Sequence, residues 1–135
     1  MVAADVIKDI LSIKLVPVIA PVGCDEHDSK ALNINAETAA GAVAEALQAD
    51  RLLLLTDIVG VLDKDKKLIE EIRGQDRFQA LCDDGTISGG MIPKLETAVQ
   101  ATQRGVGVVS ITDGREKSCV LNALSGSPFG TKIVK

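Results

Sequence analysis

The residues best suited to chemistry lie in "TISGGMIPKLE", Thr86 to Glu96, where two glycines and a lysine stand at the start of a helix-period segment. Gly89 and Gly90 allow backbone to approach a bulky anion. A helix starting after them offers free N–H groups, and Lys94 adds a full positive charge, so the three together describe a phosphate site. A cation in the first turn of a helix opposes the macrodipole, so stability alone does not explain Lys94. A tight turn leading into an ordinary helix would produce the same letters, and that reading stays open on these residues alone.

A second cluster is "NINAE", Asn33 to Glu37. Asn35 suits an N-cap and Glu37 suits the first turn of the helix that follows, as any stable helix would have it. Asn33 has no such structural reason, and an amide on the loop side of a cap can bind a carboxylate or order a catalytic group. Two apolar runs end in Thr-Asp, Thr56-Asp57 and Thr112-Asp113. Thr and Asp are ordinary turn and cap residues. Asp57 is the stronger candidate for a nucleotide or metal contact because the residues after it read as a hairpin and need no cap, and Asp113 is left to the turn. His27, the single histidine, lies in "DEHDSK" with no cysteine or second histidine beside it, so it is expected to face solvent. No metal site is assigned, since a site needs more ligands than this.

The elements that must position these residues alternate. Val16 to Ala20, Leu52 to Leu55 and Val106 to Ile111 are continuous apolar runs of the kind buried on both faces of a parallel sheet. Helix-period segments fall at Ala36 to Gln48, Arg77 to Asp83, Pro93 to Arg104 and Lys117 to Leu124, with Pro93 suited to a first helical position and Gly105 to a C-cap. The pattern is α/β, a mostly parallel sheet flanked by helices. Residues 59–72 read as two extended pieces around the charged turn "DKDKK", a small antiparallel hairpin. At the amino terminus a helix with Val6, Ile10 and Ile13 on its core face feeds the first strand. Open parallel sheets bind ligands at the carboxyl ends of their strands, which is where Pro21–Gly23, Thr56–Gly60 and Thr112–Arg115 lie.

Composition narrows the partners. The 135 residues suit a single domain, and a net charge of −4 with 1% aromatic residues argues against nucleic acid, by charge and by lack of stacking side chains. Asp5, Lys8, Asp9 and Lys14 interrupt the apolar amino-terminal stretch, so it is neither a signal peptide nor a membrane span. Cys24, Cys82 and Cys119 are widely spaced and odd in number, which points to reduced thiols and a cytoplasmic setting, or to plastid stroma if a transit peptide and upstream segment were removed.

Taken in order, "NINAETAAG", "LLLLTDIVGVLDKD", "DGTISGGMIPKLETAV" and "ITDGR", with a closing "GTKIV", resemble the carboxyl-terminal half of the acetylglutamate kinases in the amino acid kinase family. The likeness runs from about Val16 to the end. It implies the carbamate kinase-like fold, with residues 1–23 as the last helix and strand of an amino-terminal lobe and the remainder as the nucleotide-binding lobe. It also implies a transferase that phosphorylates the side-chain carboxylate of N-acetyl-L-glutamate with ATP and Mg2+ in arginine biosynthesis. Position by position, Lys94 matches the lysine that stabilises charge on the transferring phosphoryl group. Glu37 matches an aspartate that orders the catalytic lysines, and Asn33, with Asn35 beside it, matches the substrate-holding asparagine. Asp57, Ile58, Val59, Gly60, Val61 and Leu62, with Thr86, Ile87 and Ser88 and the Gly89-Gly90 pair, match the nucleotide pocket.

Two departures follow from the same resemblance. Glu37 is one methylene longer than the family's aspartate, and displacing an organising carboxylate by about 1 Å is worth on the order of 100-fold in rate. The family's amino-terminal lobe supplies another lysine, a glycine-rich phosphate loop and a substrate-gripping arginine, and no segment of this chain resembles them. The missing lobe is therefore the first expected partner, and the chain alone is expected to be inactive. A homo-oligomer stays open, as do two other functions: a non-catalytic nucleotide-binding or assembly module, and a related kinase acting on another acid.

Overall fold

A computed structural model describes residues 2–25, 29–125 and 129–135. His27 lies outside the described residues. Six strands and five helices follow one another as α1 (Ala4–Ser12), β1 (Val22–Cys24), β2 (Ala31–Asn33), α2 (Ala36–Leu47), β3 (Arg51–Thr56), β4 (Glu71–Arg73), α3 (Gly74–Asp83), α4 (Met91–Gln103), β5 (Val108–Asp113), α5 (Cys119–Leu124) and β6 (Thr131–Val134) among those residues.

The main sheet has four strands in the order β3-β5-β6-β4. β3 runs parallel to β5 and β4 parallel to β6, while β5 and β6 are antiparallel, so the sheet is mixed and mostly parallel, and the fold is α/β. Its densest burial is at the centre, where every residue of β5 from Val109 to Asp113 is buried. Helix α4 covers this centre: Leu95, Ala98, Val99 and Ala101 join Val109 and Ile111 of β5, Ile133 of β6 and Ile72 of β4 in one core. These are branched aliphatic side chains and small alanines, and close packing among them is what fixes α4 on the sheet. Among the described residues no helix is long and apolar enough to cross a membrane.

Several helix boundaries follow the local chemistry. Asn35 caps α2, its Oδ1 accepting the Thr38 N–H at 3.0 Å. α4 ends at Gln103, two residues before Gly105, which adopts φ +108° as helix-terminating glycines do. Pro93 stands third in α4 rather than first, still within the turn where a missing N–H costs nothing. The charged turn after Leu62 is held by Asp63, whose Oδ1 accepts from the N–H groups of Asp65 (2.9 Å) and Lys67 (2.8 Å). The hairpin expected over 59–72 is reduced to the single antiparallel bridge Leu62↔Leu68, because the chain beyond it, β4, pairs with β6 instead.

Three expectations need correction. Val16 to Ala20 is not a strand: it has no regular structure, and Val16 and Val18 are 85% and 96% exposed. An apolar run has the capacity for burial but needs a neighbouring strand, and within the described residues the nearest pairing starts only at Val22, in the antiparallel hairpin β1–β2. The run Leu52 to Leu55 does form β3, but at the sheet edge, so Leu54 is buried while Leu55 remains half exposed. In α1 the buried residue is Ile7, while Val6 and, just past the helix end, Ile13 are exposed.

Leu95 has no exposed surface and lies next to Lys94 in the sequence. Leu95→Ala should lower unfolding stability by about 2–5 kcal/mol, the usual range for emptying a well-packed core site, as read by urea denaturation.

Candidate active site

The amino-terminal ends of α2 and α4 lie side by side. Gly41 makes this close approach feasible, since a Cβ there would stand 3.0 Å from Thr97 Cγ2 of α4. α4 opens after Gly89, which adopts φ +58°, and Gly90, with no side chain capping its first turn. The Met91 and Ile92 N–H groups reach only back to Ser88 and Gly89 carbonyls at 3.3 and 3.2 Å, long contacts that leave this helix end receptive to an anion. Open space surrounds both glycines.

Lys94, fourth residue of α4, donates from Nζ to Glu37 Oε1, and Glu37 is the second residue of α2. The two side chains are about one-third and one-quarter exposed (32% and 26%). The hydrogen bond from Lys94 holds the Glu37 carboxyl below its ordinary range; partial burial opposes this, and Asn35 adds a smaller downward push. The two positions read as catalytic are therefore in direct contact. Asn35 is committed to its cap, while Asn33 closes β2 two residues earlier with its side chain exposed.

A cavity of about 360 Å3 lies beside the start of α4, lined by Ile58, Val59, Gly60, Val61, Leu62, Thr86, Ile87, Ser88 and Met91. The loop 57–62, which follows β3, and the turn 86–88, which follows α3, meet here. Thr56 turns the chain out of β3 by accepting the Ile58 N–H at 2.9 Å. From β6, the buried Thr131 hydroxyl accepts the Val61 N–H at 2.8 Å and donates to the Ile69 carbonyl at 2.7 Å. Gly60, at φ +142°, packs so close that a Cβ would meet Leu68 Cδ1 at 2.7 Å and Thr131 Oγ1 at 2.8 Å. Opposite, Asp84 Oδ1 accepts the Thr86 N–H at 2.8 Å and Ile87 is buried.

Asp57 and the Gly89-Gly90 pair, also read as nucleotide contacts, are not among the lining residues. The Asp57 carbonyl instead accepts from Arg115 Nη2 at 2.6 Å. Asp113, left to the turn by its sequence, is buried and takes the Arg115 backbone N–H, Nε and Nη2 on its two oxygens. This guanidinium holds the Asp113 carboxyl down at about 2. The sequence alone assigns no role to Met91 or Thr131, and places Arg115 only in the strand-end segment Thr112–Arg115. Met91 is legible as the residue directly after the glycine pair; Thr131 acts through a long-range contact with no local signature, and Arg115 pairs locally with Asp113 but reaches Asp57 only across the fold.

A larger groove of about 1070 Å3 runs between α1, the irregular 17–19 segment, β1 and α2. Its walls are mainly Val, Ile, Leu and Ala with few polar groups, so it offers surface for packing rather than for chemistry.

Strand-end loops, an apolar slot and a paired cation thus sit together on one α/β domain. The amino acid kinase family model matches residues 2–113, and the chain belongs to that family. Among curated relatives it is 49% identical over 129 residues to an acetylglutamate kinase of Gluconobacter oxydans, covering 95% of this chain and 43% of that protein. It is 55% identical over 107 residues to the acetylglutamate kinase of Rhodospirillum rubrum, covering 79% of this chain and 34% of the relative. The chain thus spans less than half the length of these relatives. Among solved structures, N-acetylglutamate synthase from Neisseria gonorrhoeae, complexed with coenzyme A and N-acetyl-glutamate, superposes with TM-score 0.88 at 27% identity over 98% of this chain and 30% of its own. Carbamate kinase from Giardia lamblia bound to AMP-PNP gives 0.75 at 27% identity, over 99% of this chain and 50% of its own.

Two outcomes are expected from this geometry. Gly60→Ala, strained in backbone and in space, should open the cavity wall and raise hydrogen exchange at Val61, a shift readable by amide NMR. The Asp113 carboxyl is depressed on folding, so its stabilisation is present above the ordinary carboxylate range, near pH 4, and is lost as pH falls from there toward about 2. Asp113→Asn should therefore flatten the fall in urea midpoint across that interval; an unchanged acid profile would show that the Arg115 fork does not hold in solution.

Proposed function

We propose that this chain is the nucleotide-binding part of an acetylglutamate kinase, which transfers the γ-phosphoryl group of ATP, with Mg2+, to the side-chain carboxylate of N-acetyl-L-glutamate for arginine biosynthesis. The observation that carries the reading is the Lys94–Glu37 pair, its lysine on α4, the helix whose first residue, Met91, lines a slot walled by residues 58–62 and 86–88. Relatives named acetylglutamate kinase at about half identity support the choice of acceptor.

The reaction suits these residues. A carboxylate is already ionised at neutral pH, so it attacks phosphorus without a general base: its oxygen forms the new P–O bond as the bond to the ADP oxygen breaks. What remains is positioning and charge balance, which supply most of the rate in phosphoryl transfer. Lys94 provides the charge at the γ-phosphoryl, and Glu37 holds its ammonium in place. The nucleoside occupies the 360 Å3 slot, within the range of small-molecule sites. Mg2+ needs only one or two carboxylates besides the phosphates and travels with the nucleotide rather than in a protein cage. Asn33 is the side chain we assign to the acceptor.

The relatives' greater length bears on the partner. The apolar groove along α1 and residues 17–19, with Val6, Val18 and Val22 each more than half exposed, is the face we assign to an amino-terminal lobe. Cys24, Cys82 and Cys119 are all free thiols, which fits a cytoplasmic setting. A second reading, a non-catalytic nucleotide-binding module, draws on Glu37, one methylene longer than the aspartate the resemblance expects, whose carboxylate engages the ammonium that transfer would need.

Titration calorimetry with MgADP on this chain should give weak binding, and a hydroxamate assay should give no turnover until the amino-terminal lobe is supplied. In the two-lobed protein, Lys94→Ala should cut transfer by about 1000-fold, as when a cation at this transition state is removed. Its stability should change by less than about 1 kcal/mol, because relief of the charge–dipole conflict opposes loss of a partly exposed ion pair. No heat at millimolar MgADP from folded chain removes the nucleotide site. No turnover from the two-lobed protein leaves the binding module.

A further inference from the structure

We infer that Arg115 positions the first wall of the nucleotide cavity, as a positioning residue that touches no substrate; the inference rests on the nucleotide reading above. β3 and β5 end together at the pair Thr56↔Asp113, and the last bond between them is Gly114 N–H to the Thr56 carbonyl at 2.8 Å. Beyond it the loop starting at Asp57 leaves the sheet. Ile58, the first lining residue, follows immediately.

Arg115 spans that gap. Asp113 grips it in a fork, Nε to Oδ1 at 2.9 Å and Nη2 to Oδ2 at 2.7 Å, and Nη2 also reaches the Asp57 carbonyl at 2.6 Å. The acid is buried, its side chain 9% exposed, while the arginine's is 70% exposed. An arginine this exposed adds little stability as an isolated ion pair. The planar fork, however, fixes the guanidinium with little further entropy loss, so the second Nη2 hydrogen points in one direction, at a backbone carbonyl. The exit of β5 is kept within reach because a Cβ at Gly114 would lie 3.0 Å from Leu55 Cβ. Thr131 holds the far end of the same loop through Val61. The wall is thereby pinned at both ends, by β5 and by β6.

The test compares wild type, Arg115→Ala and Arg115→Lys by residue-resolved hydrogen exchange and by MgADP titration. Arg115→Ala should speed exchange at residues 58–60 by about tenfold, the scale of one lost bond to a charged donor, and weaken MgADP by a similar factor. The amides of β3 and β5 should stay protected. Arg115→Lys keeps the charge without the fork and should resemble the alanine variant. Unchanged exchange at 58–60, exchange rising equally through β3 and β5, or full rescue by lysine would each overturn the inference. If wild type binds no MgADP, the nucleotide reading falls, and selective exchange at 58–60 still establishes that Arg115 places the segment.

Discussion

A lysine near the start of a helix is tolerable only where something answers its charge, and for Lys94 that answer is Glu37. The pairing constrains the chain around it. The openings of α2 and α4 must lie side by side, α2 must be capped by Asn35 so that Glu37 falls in its first turn, and a small residue must stand where the helices touch, which is Gly41. α4 in turn is set by Leu95, Ala98 and Val99 on the sheet beneath. The ion pair thus shows that an aliphatic core has placed two helix ends correctly, more than it adds stability of its own; partly exposed pairs are worth at most about 1 kcal/mol.

The slot at the start of α4 has a different origin. It arises where the loops after β3 and α3 meet, at the carboxyl end of the sheet, as topology requires of open α/β folds. The loop after β3 has no ladder to hold it, and the surrounding polar groups do so instead: the Thr56 and Thr131 hydroxyls and the Arg115 guanidinium each fix one backbone group between Asp57 and Val61. All three bonds are to backbone, so the side chains of Ile58, Val59 and Val61 are left to shape the cavity.

How far the sequence reveals this depends on whether the cause is local. Asn35 as cap, Gly105 beyond α4 and the meeting of residues 58–62 with 86–88 were legible, the first two from capping chemistry and the third from resemblance to a family. Val16 to Ala20 was misread because burial depends on a neighbour, and composition reports only the capacity for it. Leu52 to Leu55 has the same apolar character as β5 and differs only in lying at the edge. Thr131 and Arg115 bond to residues 70 and 58 positions away, a separation that no window along the chain detects.

The most direct measurement is the map of amide and side-chain chemical shifts as MgADP is added to the labelled chain. If the slot at the start of α4 is the nucleotide site, shifts should be confined to residues 57–62 and 86–91, the Lys94 ammonium and the Glu37 carboxylate. Shifts gathered along α1 and the 17–19 groove, with the Lys94–Glu37 pair unmoved, would contradict that assignment.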